Sequence, residues 1–485
     1  MFNMQGPAVF AAALCFAGAA QAGAQLIAIG TIDGHFEDRS VATAAPLESK
    51  VAGNRLGGIG SGLAYAGGTT FLALPDRGPN ANPYNPLVDD TTSYIPRFHT
   101  IDLRLSPSDP GAALPFTLTP TMLDTTLLSS VTPLVYGSGD GLGYQADGVT
   151  PLGAGAPALN AVNHRFYFTG RSDNFDPTQP STNPNNARLD PEGIRVSNNG
   201  QFVYVSDEYG PYVYQFNRVT GERVRAFRLP ANLAISRLSP QKDVEIGGNT
   251  VGRVTNKGME GLAITPSGKL LVGIMQANLE QDKKNSLRIV TIDTSTGETH
   301  EYAYKLTKGS GVSEIVAVNE HQFLVDERDG SGFADTPLLT DTASAAKVKK
   351  LFLIDLDGAT DISTVSGGDL TGYAVAKTEF LDVVAELTAH GIDPLFIPSK
   401  IEGVAFGPDI TVDGETRHTL YIANDNDFLA EVADPTKAPG DSGRGMVPNP
   451  NRIYVFAFSD ADLPGYVPQP VREKNGEVRC EQHDR

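Results

Sequence analysis

Four glutamates stand at similar places along the chain: Glu192, Glu260, Glu314 and Glu402. Three of them head the same short pattern, Glu192-Gly193-Ile194, Glu260-Gly261-Leu262 and Glu402-Gly403-Val404, and the fourth is read in Ser313-Glu314-Ile315. The strands that follow end in a second group of acids, Glu208, Glu327 and Asp425, with Asp207, Asp329 and Asp427 beside them. Carboxylates brought together resist ionising unless a cation neutralises them. An oxygen-only set of this kind suits a hard divalent ion, and Ca²⁺, with about 6–8 flexible oxygen ligands, suits it best. A single Glu at a turn can instead accept backbone N–H groups. The repeated set favours a shared site, because a turn calls for Gly but not for Glu beside it. Arg77, Arg171, Arg328 and Lys257 lie in polar turns next to these segments. A guanidinium offers a planar fork to phosphate oxygens and equally to a neighbouring carboxylate, so each is open to a substrate role or a structural one.

The elements that must position these residues are repeats. A turn with Gly leads to a short apolar strand, a polar turn, and a second strand ending in acids. Copies begin near Gly60-Ser61-Gly62, Asp190, Gly258, Gly311 and Lys400, and Ser61 replaces Glu in the first. Between copies lie hairpins such as Tyr212–Phe216 with Val224–Phe227, and Leu287–Asp293 with Glu301–Tyr304, each joined through Thr-Gly. Each unit thus supplies about four strands, the content of a propeller blade. Glu192 and Glu260 are 68 residues apart and Glu260 and Glu402 are 142 apart, about twice that. This spacing, with a blade read around Phe166–Thr169, predicts an all-β propeller of about six blades. Long loops are expected over 105–190, and apolar spacing over 377–391 predicts a short inserted helix.

Composition agrees with many short strands, with 51 Gly and 33 Pro in 485 residues. The net charge of −19 argues against nucleic acid and anionic membranes as partners. The apolar run Val9–Ala17 and the small residues Ala20-Gln21-Ala22 read as a signal peptide over residues 1–24, cleaved near Ala22 or Ala24. The run is too short for a membrane span. A periplasmic or extracellular location follows, with a propeller domain over 25–465 and a polar tail over 466–485. Cys480 is then the single cysteine of the mature chain, so no internal disulfide forms. No P-loop, dinucleotide fingerprint or His pair at metal-ligand spacing is present, and Gly60-Ser61-Gly62 is not a nucleophile elbow. The many carboxylates are also compatible with a retaining glycosidase pair.

Several segments in combination resemble the esterase-like phytase family: Leu74-Pro75-Asp76-Arg77-Gly78, Asp190-Pro191-Glu192-Gly193, Ser206–Pro211, Asn256–Ala263, Glu327-Arg328-Asp329-Gly330, Lys400–Phe406 and Asn424–Phe428. The resemblance covers roughly residues 45–460. It implies an exported propeller with phosphoester hydrolase activity. From the repeated carboxylates and their adjacent arginines, Glu192, Glu208, Glu260, Glu314, Glu327, Glu402 and Asp425 are expected to hold Ca²⁺, and Arg77 and Arg328 the phosphate of a small phosphorylated substrate, in a monomer. Two alternatives stay open: a metal-stabilised propeller that only binds, and a lactone or carboxylester hydrolase.

Overall fold

A computed structural model describes residues 23–80, 91–137, 149, 155–412 and 414–472. The expected signal peptide and Cys480 lie outside these residues. The fold is a β-propeller whose described strands form five antiparallel blades, four of them four-stranded and the fifth carrying the short extra strand Ile410–Val412 beside its four. The first blade comprises Gly62–Tyr65, Thr70–Leu74, Arg97–Pro107 and Phe116–Leu127; the second, Pro191–Val196, Phe202–Asp207, Tyr212–Asn217 and Arg223–Arg228. The third comprises Met259–Ile264, Leu270–Met275, Ser286–Asp293 and Thr299–Lys305; the fourth, Gly311–Ala317, Gln322–Arg328, Lys349–Asp355 and Lys377–Asp382. The fifth is built from Ile401–Phe406, Glu415–Asn424 and Asn451–Phe458, and the N-terminal strand Gln25–Ile32 completes it by pairing with Asn451–Phe458. Pairing of Gln25–Ile32 with Asn451–Phe458 ties the segment before the first blade to the last one.

Among the described residues the count is five, near the about six implied by the spacing. The difference lies around Phe166–Thr169. Those residues form only a two-residue pairing, Ser129–Ser130 with Phe166–Tyr167. Phe168 is fully buried against Tyr214 and Phe216 of the second blade, so this apolar run packs on a neighbouring blade instead of starting its own. The predicted helix is shorter than its apolar spacing: Lys377–Asp382 is the outer strand of the fourth blade, and the helix Val383–Ala389 begins after Asp382 caps the Ala385 amide at 3.0 Å. No described helix is long and apolar enough to cross a membrane.

The core is a series of layers between adjacent blades. Strand residues alternate, one set packing forward and the next backward. Leu72 and Leu74 of the first blade meet Ile194 and Val203 of the second, whereas Phe71 and Ala73 face Tyr421 and Ala423 of the fifth.

The inner strands of all five blades line a central channel and approach one another closely. A β-carbon at Gly193 would lie 2.6 Å from the Leu262 side chain, and one at Gly261 would lie 2.7 Å from the Ile315 amide nitrogen. Arg195 fills the channel below these glycines. Its guanidinium donates to the carbonyls of Leu63 at 2.7 Å, Ile194 at 2.6 Å and Ile315 at 2.9 Å, and pairs with Glu314 at 3.0 Å. The far mouth is covered by residues 463–472: the Val467 amide donates to Val318 and the Gln469 side chain to Val196, both at 2.8 Å, while Tyr466 packs on Phe406. The channel is therefore plugged at this end and opens at the other.

Arg195→Ala should destabilise the fold by about 3–5 kcal/mol, because it strands Glu314 as an unpaired buried charge. The double variant Arg195→Ala/Glu314→Gly, which gives the second and fourth blades the small residues found at these positions elsewhere in the ring, should recover part of that loss. Chemical denaturation of both proteins measures the difference.

Candidate functional site

A bulge in the inner strand turns the glutamate of each Glu-Gly pair toward the open mouth. The pairing with the next strand shifts between Pro191 and Ile194, between Met259 and Gly261, and between Ile401 and Gly403. The unpaired residues include Glu192, Glu260 and Glu402. In the fourth blade the same shift falls between Val312 and Glu314, so the equivalent residue is Ser313. A second ring comes from the neighbouring strand, two residues beyond the partner of the glycine position: Asp76, Glu208, Gln276, Arg328 and Asp425, one per blade.

Together these residues surround a polar cavity of about 320 Å³, with Arg77, Asn80, Asn256, Lys400 and Asp427 at its rim. Eight carboxyl groups gather there: Asp76, Asp190, Glu192, Glu208, Glu260, Glu402, Asp425 and Asp427. Three cations oppose them. Arg77 donates to Asp190 at 2.9 Å and to the Asn256 side chain. Arg328 donates to Glu402 and to Ser313 and lies 3.9 Å from Glu260. Lys400 lies 2.6 Å from both Asp425 and Asp427.

The electrostatic consequence is a set of carboxyls pushed up from their ordinary range. Burial raises Glu192, and Glu260 and Asp190 add to the shift. Burial also raises Glu260, with Glu208 and Glu402 adding. Asp76 is raised by burial and by Asp425. Glu208 and Asp425 are each raised to about 7, mainly by burial. Glu192 is 8% exposed and, among the described residues, accepts no hydrogen bond and pairs with no cation. Its neighbours are better served: Glu208 accepts the Gly258 amide at 2.7 Å, and Glu260 accepts the Gln276 side chain at 2.8 Å.

The structure thus brings together Glu192, Glu208, Glu260, Glu402, Asp425, Arg77 and Arg328. It places Glu314 and Glu327 elsewhere, and this corrects the grouping made on sequence. Both errors are the same one-residue slip in the fourth blade, which turns a side chain to the opposite face. Glu314 occupies the position that is Gly in the other blades, faces Arg195, and accepts the Leu262 and Ile315 amides, each at 2.9 Å. Glu327 points away from the channel. Burial alone would raise it, but Lys377, the Tyr304 hydroxyl and the Lys308 amide hold it below its ordinary range. Arg171 is buried against Asp173 at 2.6 Å, with Glu48 3.9 Å away, and Lys257 is exposed; neither lines the cavity.

Asp76, Asp190, Lys400 and Gln276 were missed as site residues although they lie in the repeated segments. Asp190 and Lys400 each stand two residues before a site glutamate, and strand parity was the available signal. Gln276 carried no acidic label and was found only through pairing.

Residues 54–428 match the phytase-like family, described as esterase-like activity of phytase. The chain belongs to this family. A 26% identical relative over 467 residues, covering 84% of this chain and 83% of its own, is an uncharacterized secreted protein of Arthroderma benhamiae. Among solved structures, the periplasmic gluconolactonase of Pseudomonas aeruginosa is similar at 11% identity and a TM-score of 0.31, covering 90% of this chain and 99% of its own. The β-propeller domain of Myceliophteria thermophila Cps50 is similar at 12% identity and a TM-score of 0.21, covering 48% of this chain and 50% of its own.

The raised carboxyls of this phytase-like protein make its stability depend on pH. A carboxyl with a raised folded pKa contributes stability at low pH that is lost as pH rises through that value. For Glu208 and Asp425 the loss begins near pH 4 and extends to about pH 7. Chelator-treated protein should therefore melt at lower temperature at pH 8 than at pH 5. The Glu192→Gln/Glu260→Gln variant should show a smaller drop in the same thermal scans.

Proposed function

We propose that this phytase-like protein is an exported, divalent-cation-dependent hydrolase of small phosphorylated esters, with Ca²⁺ as the cation. The observation that carries the reading is the imbalance in the cavity: eight carboxyls face three cations, and Glu192 is buried among them with no donor of its own among the described residues. Export rests on the apolar N-terminal run and on the secreted relative.

The side chains present fit such an ion. All the acidic groups offer oxygen, Asn80, Asn256 and Gln276 add amide oxygens, and neither His nor Cys lines the cavity among the described residues. That donor set favours a hard ion such as Ca²⁺ over zinc. Two carboxylate groups are close enough to hold it: Asp76 with Asp425 and Asp427, and Asp190 with Glu192 and Glu208, the oxygens of each group lying within 4.8 Å of one another. When bound, the ion would polarise a phosphoryl oxygen and ease deprotonation of water.

The chain's own residues supply the rest. Arg77 and Arg328 present guanidinium groups from the first and fourth blades, so a phosphate seated between them would be held from two sides. Glu260, raised above the ordinary carboxylate range by burial and by Glu208 and Glu402, is suited to holding a proton and passing it to a leaving oxygen. The plugged lower channel confines substrate entry and product exit to one mouth.

A panel of aryl phosphate monoesters and diesters, phytate and simple lactones, assayed with added Ca²⁺ and with chelator, tests the reading. Phosphate ester hydrolysis that chelator abolishes is the expected result. Glu260→Gln should lower kcat by about 10²-fold or more. Arg328→Lys, which keeps the charge but loses the fork, should raise KM about tenfold. Turnover of lactones alone would replace the phosphoester assignment. Stabilisation by Ca²⁺ with no turnover of any substrate would make the protein a binding module.

A further inference from the structure

The two carboxylate groups of the pocket are not equivalent, and the difference tells which one an ion occupies. In the group formed by Asp76, Asp425 and Asp427, positive charge is already built in. The Lys400 ammonium lies 2.6 Å from both Asp425 and Asp427. Backbone donors take further oxygens: the Gly78 amide reaches Asp76 at 2.9 Å, and the Asp427 amide reaches Asp425 at 2.6 Å. Asp427 adopts a left-handed backbone conformation, φ 52°, as does Phe428, φ 56°, whose ring is buried against Gly57 and Gly58. The loop is thus wound to bring Asp427 onto the ammonium.

The opposite group also has a resident cation, the Arg77 guanidinium on Asp190, but that cation is not bonded to Glu192. Asp190 is engaged by Arg77, and Glu208 by one backbone amide. Glu192, between them, is more than nine-tenths buried, faces the cavity, and has no partner among the described residues. The largest charges acting on it, Glu260, Asp190, Glu208 and Asp76, are all carboxylates. A buried carboxylate surrounded by others and lacking a donor is strongly disfavoured unless a cation joins it.

We propose that the pocket binds a single divalent cation, held by Asp190, Glu192 and Glu208, and that Lys400 permanently fills the opposite group as an internal counter-ion. This deepens the functional reading above and rests on it for the presence of the ion. It adds an account of why one blade carries lysine at this position. An ammonium held by two carboxylates neutralises one side of the cavity without a dissociable ion, and the opposite side keeps the exchangeable one.

Calorimetric titration of chelator-stripped protein with CaCl₂ tests the proposal, using the wild type and three variants. One ion per chain is expected for the wild type. Asp427→Asn should keep that stoichiometry and stay within about threefold in affinity; Asn tolerates the left-handed backbone there, so the loop persists. Glu192→Gln, isosteric at a side chain without partners, should weaken binding by tenfold or more. Lys400→Met should bind a second ion. Two ions in the wild type, or loss of binding in Asp427→Asn with retention in Glu192→Gln, overturns the proposal. So does a folded Lys400→Met that binds one ion. If that variant does not fold, the Asp427 and Glu192 variants decide by themselves. No binding to the wild type would overturn both this inference and the ion-dependent function. Binding as described without phosphate ester hydrolysis would leave the site standing and remove only the function.

Discussion

Five inner strands converge on the channel axis until their backbones nearly touch, and at four of the five equivalent positions there is no room for a β-carbon. At Gly62 one would lie 2.5 Å from the Glu192 carbonyl oxygen, and at Gly403 one would lie 2.9 Å from the Gly60 carbonyl oxygen, with Gly193 and Gly261 as crowded. Glycine is the residue that permits such an approach. Next to it the strand bulges, and the bulge aims the preceding side chain along the axis into the open mouth. The Glu-Gly pair is thus one device with two parts: the glycine closes the ring and the glutamate faces what the ring encloses.

The fourth blade departs from this rule and shows what the departure requires. Glu314 stands where glycine is used elsewhere, and a carboxylate at the bottom of a narrow channel has to be paired. Arg195 supplies the charge and also donates to carbonyls of the first, second and fourth blades. The pair seals the channel below the pocket, with Tyr466 and its neighbours covering the mouth beneath. A ring with five small residues would have left a pore. Substituting one large ionic pair makes a floor, and the floor gives the polar cavity above it a closed end.

This arrangement explains what could be read from the residues and what could not. The propeller was legible because apolar alternation and turn residues recur in every unit, and because Glu-Gly recurs in three. Five blades are described, near the about six that the spacing implies; the further unit was read at Phe166–Thr169, which has the composition of an inner strand but packs on Tyr214 and Phe216. Glu314 and Glu327 were misassigned because the fourth blade places acids one residue away from the positions used elsewhere, in both of its inner strands. Composition is insensitive to a slip of one residue, but a strand is not, since alternate side chains point to opposite faces. Strand pairing reveals Ser313 and Arg328 as the true counterparts, with Arg328 donating to the Ser313 hydroxyl.

The substitutions that break the five-fold pattern also give the cavity a direction. In the second ring the first, second and fifth blades contribute Asp76, Glu208 and Asp425, while the third and fourth contribute Gln276 and Arg328. Adjacent blades thus gather the acids of the second ring, with Lys400 and Arg77 among them, while the facing pair sets Gln276 and Arg328 beside Glu260 and Glu402. A symmetric ring of acids would bind a cation on its axis and present the same face to any substrate. The polarised ring separates two tasks: carboxylates able to hold a cation lie on one side, and the Arg328 guanidinium lies on the other. An anionic group would then be oriented by Arg328 on one side and Arg77 on the other, each already beside a carboxylate.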